Sequence, residues 1–448
     1  MKQNRSFIKY LVSSPYGDIP VNKRKWHLPL EYDTLKTPYK TYFNLIREFL
    51  ARDELKLLLE AASKKLDRKI HLKEVNKISV RSEKHGFLYH PASIEVILKQ
   101  GKVNPVRKGR ALNEVGLSNG VKFGLNVAIS DVGKDWLREE SSVLKRLNTK
   151  FNLPYLPEPY LFSELNNMSF LLEDWFEGYH EFHISRDKDG AQRLKLWDFD
   201  HGYKYLSSEQ SFELYKQASK ILTLYYNFKD YSQILHWHHA AGDFVVRMGD
   251  ENNSPSPNPS HQGRGNKREN SFRVRVVEDK REIFHPGRGH PALIPSPLAG
   301  EGKGEGYFQD KIDVRLTTAR RYEPPMVFRN KDPVNPFLGL FSFFLNLTVR
   351  MRMDKLNGTG EVAWADDICL EATITGFLEA LKLKEELKNY IGSVEEFLGL
   401  LKSFGEEELK ITFNSIIDLY TGEEYFAVLI ENLEEHVRKL YATIQNLP

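Results

Sequence analysis

The sequence predicts an α+β chain of two lobes: a small β-rich lobe over residues 71–177 and a mainly helical lobe over 178–448, behind an N-terminal helical extension over 1–70. Three observations predict it. Between Lys77 and Gly178 the apolar spacing reads strand, strand, strand, helix, strand, strand. From about Asn335 to the C-terminus the apolar period is that of amphipathic helices. Between these blocks, residues 252–306 hold 7 prolines and 8 glycines in 55 residues against 35 in the other 393, a composition that predicts a disordered insertion without a core of its own.

The elements follow in order. Within "PYKTYFNLIREFLARDELKLLLEAASKKL" (38–66), Phe43, Ile46, Phe49, Leu50, Leu57 and Leu58 fall on a helical period with Lys and Glu between them, which predicts one amphipathic helix or a pair. "KISVRSEKHGFLYHPASIEVILKQG" clusters β-branched residues on both sides of Gly86 and predicts two strands with a polar turn; "VKFGLNVAIS" is a third. The helix "DWLREESSVLKRLNTKF" places Trp136, Leu137, Val143, Leu144 and Leu147 on one face and ends before the proline-rich "NLPYLPEPY". "YLFSEL" and "MSFLLEDWFEG" complete the small lobe.

"HEFHI" and "RLKLWDF" flank the polar turn "SRDKDGAQ" as a hairpin, and a helix over Ser208–Tyr226 takes Ser208 as its candidate N-cap. Beyond the insertion, "KIDVRLTTARRY" reads as strand and turn, and "EEELKITFNSIIDLY" and "FAVLIENLEEHVRKLYATI" carry amphipathic helical patterns.

Bulk properties narrow the functional classes. With 64 Lys and Arg against 61 Asp and Glu, the net charge of +3 is too small over 448 residues to call for a nucleic-acid partner. The local basic runs "GRGNKREN" and "FRVRVVEDKR" are diluted by Glu and Asp, so nucleic acid is not the expected partner. The single Cys369 excludes an internal disulfide and any multi-cysteine metal site, and is expected as a buried structural thiol. The apolar run in "PFLGLFSFFLNLTVRMRM" is about a dozen residues, short of the ~20 of a membrane helix, and the N-terminal apolar patch is broken by Lys9. The expectation is a soluble cytoplasmic protein without a membrane partner.

The ends of the insertion, "SPSPNPSHQGRG" and "PSPLAGEGKGEG", resemble translated arms of dispersed inverted-repeat elements, which marks the segment as a passive in-frame insertion. Closing a loop of ~60 residues in place of ~6 costs roughly 2 kcal/mol, which a surface hairpin tolerates.

With that stretch set aside, "LHWHHAAGDFVVRMGDE" runs into "YFQDKIDVRLTTARRY": a turn ending in Asp243, a strand, and a second strand with Asp313. In this order the chain resembles the protein-kinase-like fold, in particular its aminoglycoside and choline phosphotransferase type. Phosphoryl transfer asks mainly for an aspartate to orient the acceptor hydroxyl and for carboxylates to hold magnesium. The resemblance implies ATP and Mg2+ as cofactors, Asp243 orienting the acceptor and Asp313 holding metal. It implies that "NVAIS" stands where the phosphate-binding lysine is expected, with Glu140, or its neighbour Glu139, as that lysine's partner. "FLLEDWFEG", with Asp174, resembles the linker to which adenine bonds, and the turn at Gly86 occupies the place of the phosphate-cradling loop.

The departures are specific. Ser130 stands in the lysine's place, with Lys134 and Lys122 as candidate substitutes; Met248 stands where asparagine is expected; Gly86 is the only glycine of its turn; and Asp313 is followed by Val-Arg. Two readings follow: phosphotransfer to a small hydroxylated molecule or a protein, or a pseudokinase or binding module that holds a ligand or partner without transfer. A third, a metal-dependent hydrolase, would combine His236, His238 and His239 with Asp198, Asp200 and His201 of "WDFDHG". A plainer role stands beside each: Asp243 shaping a turn, Trp237 and the histidines as packing groups, and the basic runs "RVRVV", "VRLTTARRY" and "VRMRMDK" as element edges before anion sites.

Overall fold

The apolar residues of the N-terminal strands need a layer to cover them, and helices supply it. The computed structural model describes residues 7–14, 17–83, 86, 88–99, 120–198, 202–238, 242–249, 312–325, 335–357 and 359–448. The expected insertion at 252–306, with its basic runs, lies outside the described residues, as do His239, Asp200 and His201. The chain is α+β, β-rich in its N-terminal part and mostly helical toward its C-terminus.

Seven strands form the first sheet: β1 (Ile8–Val12), β2 (Ile19–Pro20), β3 (Val75–Ser82), β4 (Ala92–Leu98), β5 (Gly120–Ala128), β6 (Pro159–Leu165) and β7 (Met168–Asp174), in the order β2-β1-β3-β4-β5-β7-β6. The expected order of three strands, a helix and two strands is present as β3 to β5, α3 (Asp131–Phe151), β6 and β7. The extension over 1–70 is not purely helical. Its β1 pairs parallel to β3, so residues 8–12 complete the same sheet, and its helices α1 (Tyr39–Ala51) and α2 (Lys56–Lys65) are the expected pair.

One sheet face is apolar. Ile78, Val80, Ile94, Val96, Phe123, Leu125, Phe170 and Leu172 share a core with Tyr42, Phe43, Ile46 and Phe49 of α1. Phe49 stacks on Phe170 with ring centroids 4.8 Å apart, and burial of each such side chain contributes roughly 1.5–3 kcal/mol. The alternate residues point to the opposite face, toward α3.

The rest of the chain is more than helices. β8 (His180–Arg186), β9 (Gln192–Asp198), β10 (Gly202–Tyr205), β12 (Phe244–Met248) and β13 (Ile312–Leu316) form a second sheet in the order β10-β9-β8-β12-β13. β11 (Gln233–Leu235) pairs with β14 (Arg321–Glu323). β12 and β13 pair antiparallel without a register shift, from Phe244 opposite Leu316 to Met248 opposite Ile312, so the residues flanking the 250–311 stretch meet in one ladder.

The helices α4 (Ser208–Leu224), α5 (Pro336–Arg350), α6 (Asp367–Leu383), α7 (Val394–Ser403), α8 (Glu406–Ile417) and α9 (Phe426–Gln445) complete this part, with the small hairpin β15 (Met353–Lys355) and β16 (Val362–Trp364). The N-cap of α4 is Ser207, one residue before the expected Ser208: its hydroxyl accepts from Gln210 N at 3.1 Å while the Gln210 side chain accepts from Ser207 N at 3.0 Å. α4 and α6 approach closely because Gly376 faces the Lys216 carbonyl, with no room for a Cβ. Cys369 is fully buried in α6, and burial pushes its thiol up to about 12, as befits a structural thiol. Among the described residues no helix is long and apolar enough to cross a membrane.

Candidate functional site

The polar face of the first sheet meets the β12–β13 hairpin at a buried cluster of charges. Gly242 adopts φ +80°, a left-handed conformation suited to glycine, and turns the chain so that Asp243 points inward at 2 % exposure. Both carboxylate oxygens of Asp243 are engaged. Arg320 Nη2 donates to Oδ1 at 2.7 Å and Nη1 to Oδ2 at 2.9 Å, and the backbone N–H of His238 donates to Oδ2 at 2.9 Å. Arg320 Nη1 also donates to His236 O at 3.1 Å, so one guanidinium ties the histidine turn to the aspartate. Such a two-pronged charged contact fixes geometry as well as charge.

Behind this pair stand two buried glutamates. Glu140 of α3 is fully buried, accepts from the Thr318 hydroxyl and faces Tyr89; Glu139 points to solvent. Glu173 of β7, 7 % exposed, accepts from Asn126 Nδ2 at 2.8 Å. Burial raises the Glu140 carboxyl, opposed by Arg320 and by the Thr318 and Tyr89 hydroxyls. Burial, then the nearby Glu140 charge, then Asp174 push the Glu173 carboxyl well above its ordinary value, against the Asn126 amide, which lowers it.

The residues singled out from sequence do not all meet. Ser130 is the N-cap of α3, its hydroxyl accepting from Gly133 N at 3.1 Å; that is a helix-start role. Lys134 bonds Asp131 at 2.6 Å and Asn167 at 2.8 Å, and Lys122 lies 4.2 Å over the Trp175 ring. Asp313 sits opposite Arg247 on the hairpin, four positions from the Thr317 that faces Asp243, or about 13 Å along the strand. Its Oδ2 accepts from Tyr179 Oη at 2.6 Å, Arg315 Nη2 at 3.1 Å and Arg247 Nη2 at 3.2 Å, so two guanidiniums already neutralise the carboxylate expected to hold metal. Beside Asp243 the hairpin carries Thr317 instead, its hydroxyl donating to Gly242 O at 2.7 Å.

Asp174 accepts from Tyr160 Oη at 2.8 Å and pairs with Lys65 of α2 at 3.0 Å. Lys65 also donates to Trp175 O at 3.3 Å, occupying a linker carbonyl where adenine was expected to bond. Gly86 is exposed and its N–H bonds Tyr89 O at 3.0 Å, closing a plain turn.

His236 and His238 are packing groups. His236 meets Trp136 edge-on at 5.7 Å, and His238 Nδ1 lies 3.1 Å from Tyr425 Oη of α9. Burial lowers both pKa values, with Arg321 and Arg350 adding to the effect at His236 and Arg350 at His238. Among the described residues no three His, Cys, Asp or Glu side chains gather as a metal site.

The sequence reading missed Arg320, Thr318, Glu173 and Tyr89. For Glu173 a signal existed: in "MSFLLED" the alternation puts Phe170 and Leu172 on one face and Glu173 on the other, an acidic residue on a strand buried on both faces. No family model, no curated protein and no solved structure matches this chain.

Proposed function

We propose that this chain is a kinase-like binding module that holds a ligand or partner without transferring phosphate. The order of β3 to β5, α3, β6, β7, a linker, α4, a Gly-Asp turn and a hairpin supports the likeness in architecture. The observation that carries the loss of transfer is the Asp243–Arg320 pair. An aspartate that orients a hydroxyl needs an open lone pair toward a cleft, and Asp243 gives its oxygens to Arg320 and His238 N at 2 % exposure. Ser130 as a helix cap and Asp313 between two arginines fit the same reading, since neither is left to bind phosphate or magnesium.

The test is turnover of ATP with Mg2+ by the purified chain, alone and with hydroxylated acceptors, beside the Asp243→Asn variant. The reading predicts phosphate release at the buffer rate for both proteins. Turnover that disappears in Asp243→Asn would replace it with the active phosphotransferase reading, with Asp243 orienting the acceptor and Asp313 holding metal. A melting-temperature shift with nucleotide and Mg2+ reports binding separately from turnover.

A further inference from the structure

The loop between β2 and α1 turns apolar side chains both ways. Inward, Leu30 is 3 % and Tyr39 2 % exposed, and Trp26 packs edge-on against Tyr10 at 5.5 Å and Phe43 at 5.7 Å. Outward, Tyr32 is 70 %, Leu35 62 % and Leu28 44 % exposed. Apolar residues scattered singly over a surface are ordinary, but three within eight positions of one loop form a patch that calls for a partner.

Bonds inside the loop hold that patch outward. Leu30 N donates to Thr37 O at 2.9 Å and Tyr39 N to Leu28 O at 3.0 Å, which pairs the two arms. At the tip the Asp33 carboxylate accepts from Leu35 N at 3.0 Å and from Thr37 N at 2.5 Å. Tyr32 at φ +58° and Lys36 at φ +52° take the left-handed conformation that residues with side chains rarely adopt. Tyr32 and Leu35 therefore stand in solvent three residues apart on one tight turn, anchored from behind by Leu30, Tyr39 and Trp26.

Charge identifies the surface that the patch meets. Residues 19–40 carry Lys23, Arg24, Lys25, Lys36 and Lys40 against Glu31 and Asp33, and Asp33 gives its oxygens to N–H groups of the loop. Among the described residues none of the five cations forms an ion pair, and Lys25 Nζ lies 5.6 Å over the Tyr39 ring at the foot of the loop. An apolar tip with unpaired cations before and after it complements a bilayer of anionic headgroups: leucine enters the boundary layer, tyrosine keeps its hydroxyl at headgroup level, and Lys and Arg meet the lipid charges. A purely acidic polypeptide would satisfy the cations and leave Tyr32 and Leu35 wet. No described helix is long and apolar enough to cross a membrane, and this contact needs none, because it rests on the surface.

We propose that this loop docks the chain on a membrane surface that carries anionic lipid, with Tyr32 and Leu35 entering the interface and Lys23, Arg24, Lys25, Lys36 and Lys40 facing the headgroups. The expectation of no membrane partner rested on spanning segments and does not bear on such a contact. The inference is independent of whether the chain transfers phosphate.

The experiment sediments the full chain with vesicles of phosphatidylcholine alone and of phosphatidylcholine mixed with phosphatidylserine. The mixed vesicles are expected to bind at least roughly tenfold more tightly, and the difference should shrink as salt rises from about 0.1 M toward 1 M. A variant carrying Tyr32→Ser and Leu35→Ser changes only side chains that stand in solvent, so it should fold as the parent does and lose roughly tenfold or more in partition onto mixed vesicles. Lys23→Glu with Lys25→Glu should lose at least as much, because two attractions become repulsions. Tyr32→Trp should add tryptophan emission that brominated lipids quench. Equal binding to the two vesicles, binding to neither, unchanged partition in either double variant, unquenched emission from the Tyr32→Trp variant, or soluble polyglutamate bound as tightly as the mixed vesicles would each overturn the proposal.

Discussion

The two faces of the seven-stranded sheet differ in what is buried among their apolar residues. Under α1, Phe123, Leu125, Phe170 and Leu172 alternate into a continuous apolar layer that another apolar residue of similar volume could fill. Toward α3, Ala128 and Leu171 share an apolar cluster with Leu137, Leu144 and Leu147, and beside them Glu173, bonded by Asn126, lies near Glu140, while Thr318, Arg320 and Asp243 close a charged network from distant parts of the chain. The apolar face depends on burial and tolerates exchange. The polar face depends on partners, so removing one member strands another.

That contrast can be broken by substitution. The largest effect is expected on the polar side: Arg320→Ala leaves Asp243 charged, buried and unpaired, a loss of roughly 3–5 kcal/mol in urea unfolding. A loss below about 1 kcal/mol would show that water replaces the guanidinium and that the network is dispensable. On the apolar side, Leu172→Ala should cost roughly 3 kcal/mol through a cavity, and a volume-conserving Leu172→Met less than about 1.5 kcal/mol. No conservative exchange should rescue the Arg320 site as well, because lysine lacks the two-pronged fork.

Glu173→Gln sharpens the comparison through pH. The folded carboxyl is raised above its unfolded value, so the folded state binds the extra proton and stability falls as pH rises from about 4.3 toward the folded pKa, at up to about 1.4 kcal/mol per unit. The glutamine does not titrate, so unfolding curves of the variant should lose that slope and exceed the parent in stability at pH 8. Parallel pH profiles would remove Glu173 from the buried network. The smallest effect belongs to solvent: the exposed Lys56–Glu60 pair on α2, at 3.9 Å, should be worth no more than about 0.5 kcal/mol in the Lys56→Ala variant.

What could be read from the sequence divides along the same line. The apolar side is periodic and local, so the helix pair over 38–66, the strands around Gly86 and the helix from Asp131 are legible as patterns of 3.6 and 2. β1 escapes this reading because its parallel pairing with β3 joins residues 70 apart, and so does the union of β8 with β12 in one sheet, because α4 and β11 lie between β10 and β12 in the chain. The polar cluster is harder still. Asp243 can be picked out of "AAGDF" as a reactive carboxylate, yet Arg320, the residue that decides its chemistry, lies 77 positions on, beyond the 252–306 stretch. Ser130 follows the same lesson: its type and place allow either a phosphate-site remnant or a helix cap, and the contact to Gly133 N is the cap.

The most direct test of Asp243 as a structural anchor is a double-mutant cycle of Asp243→Asn and Arg320→Met, read by urea unfolding at pH 7. The account predicts strong coupling, in the upper part of the ~0.5–3 kcal/mol range for groups in one network, because each single change strands the other partner. Additive losses, agreeing within about 0.5 kcal/mol, would contradict it and return Asp243 to the list of residues free for chemistry.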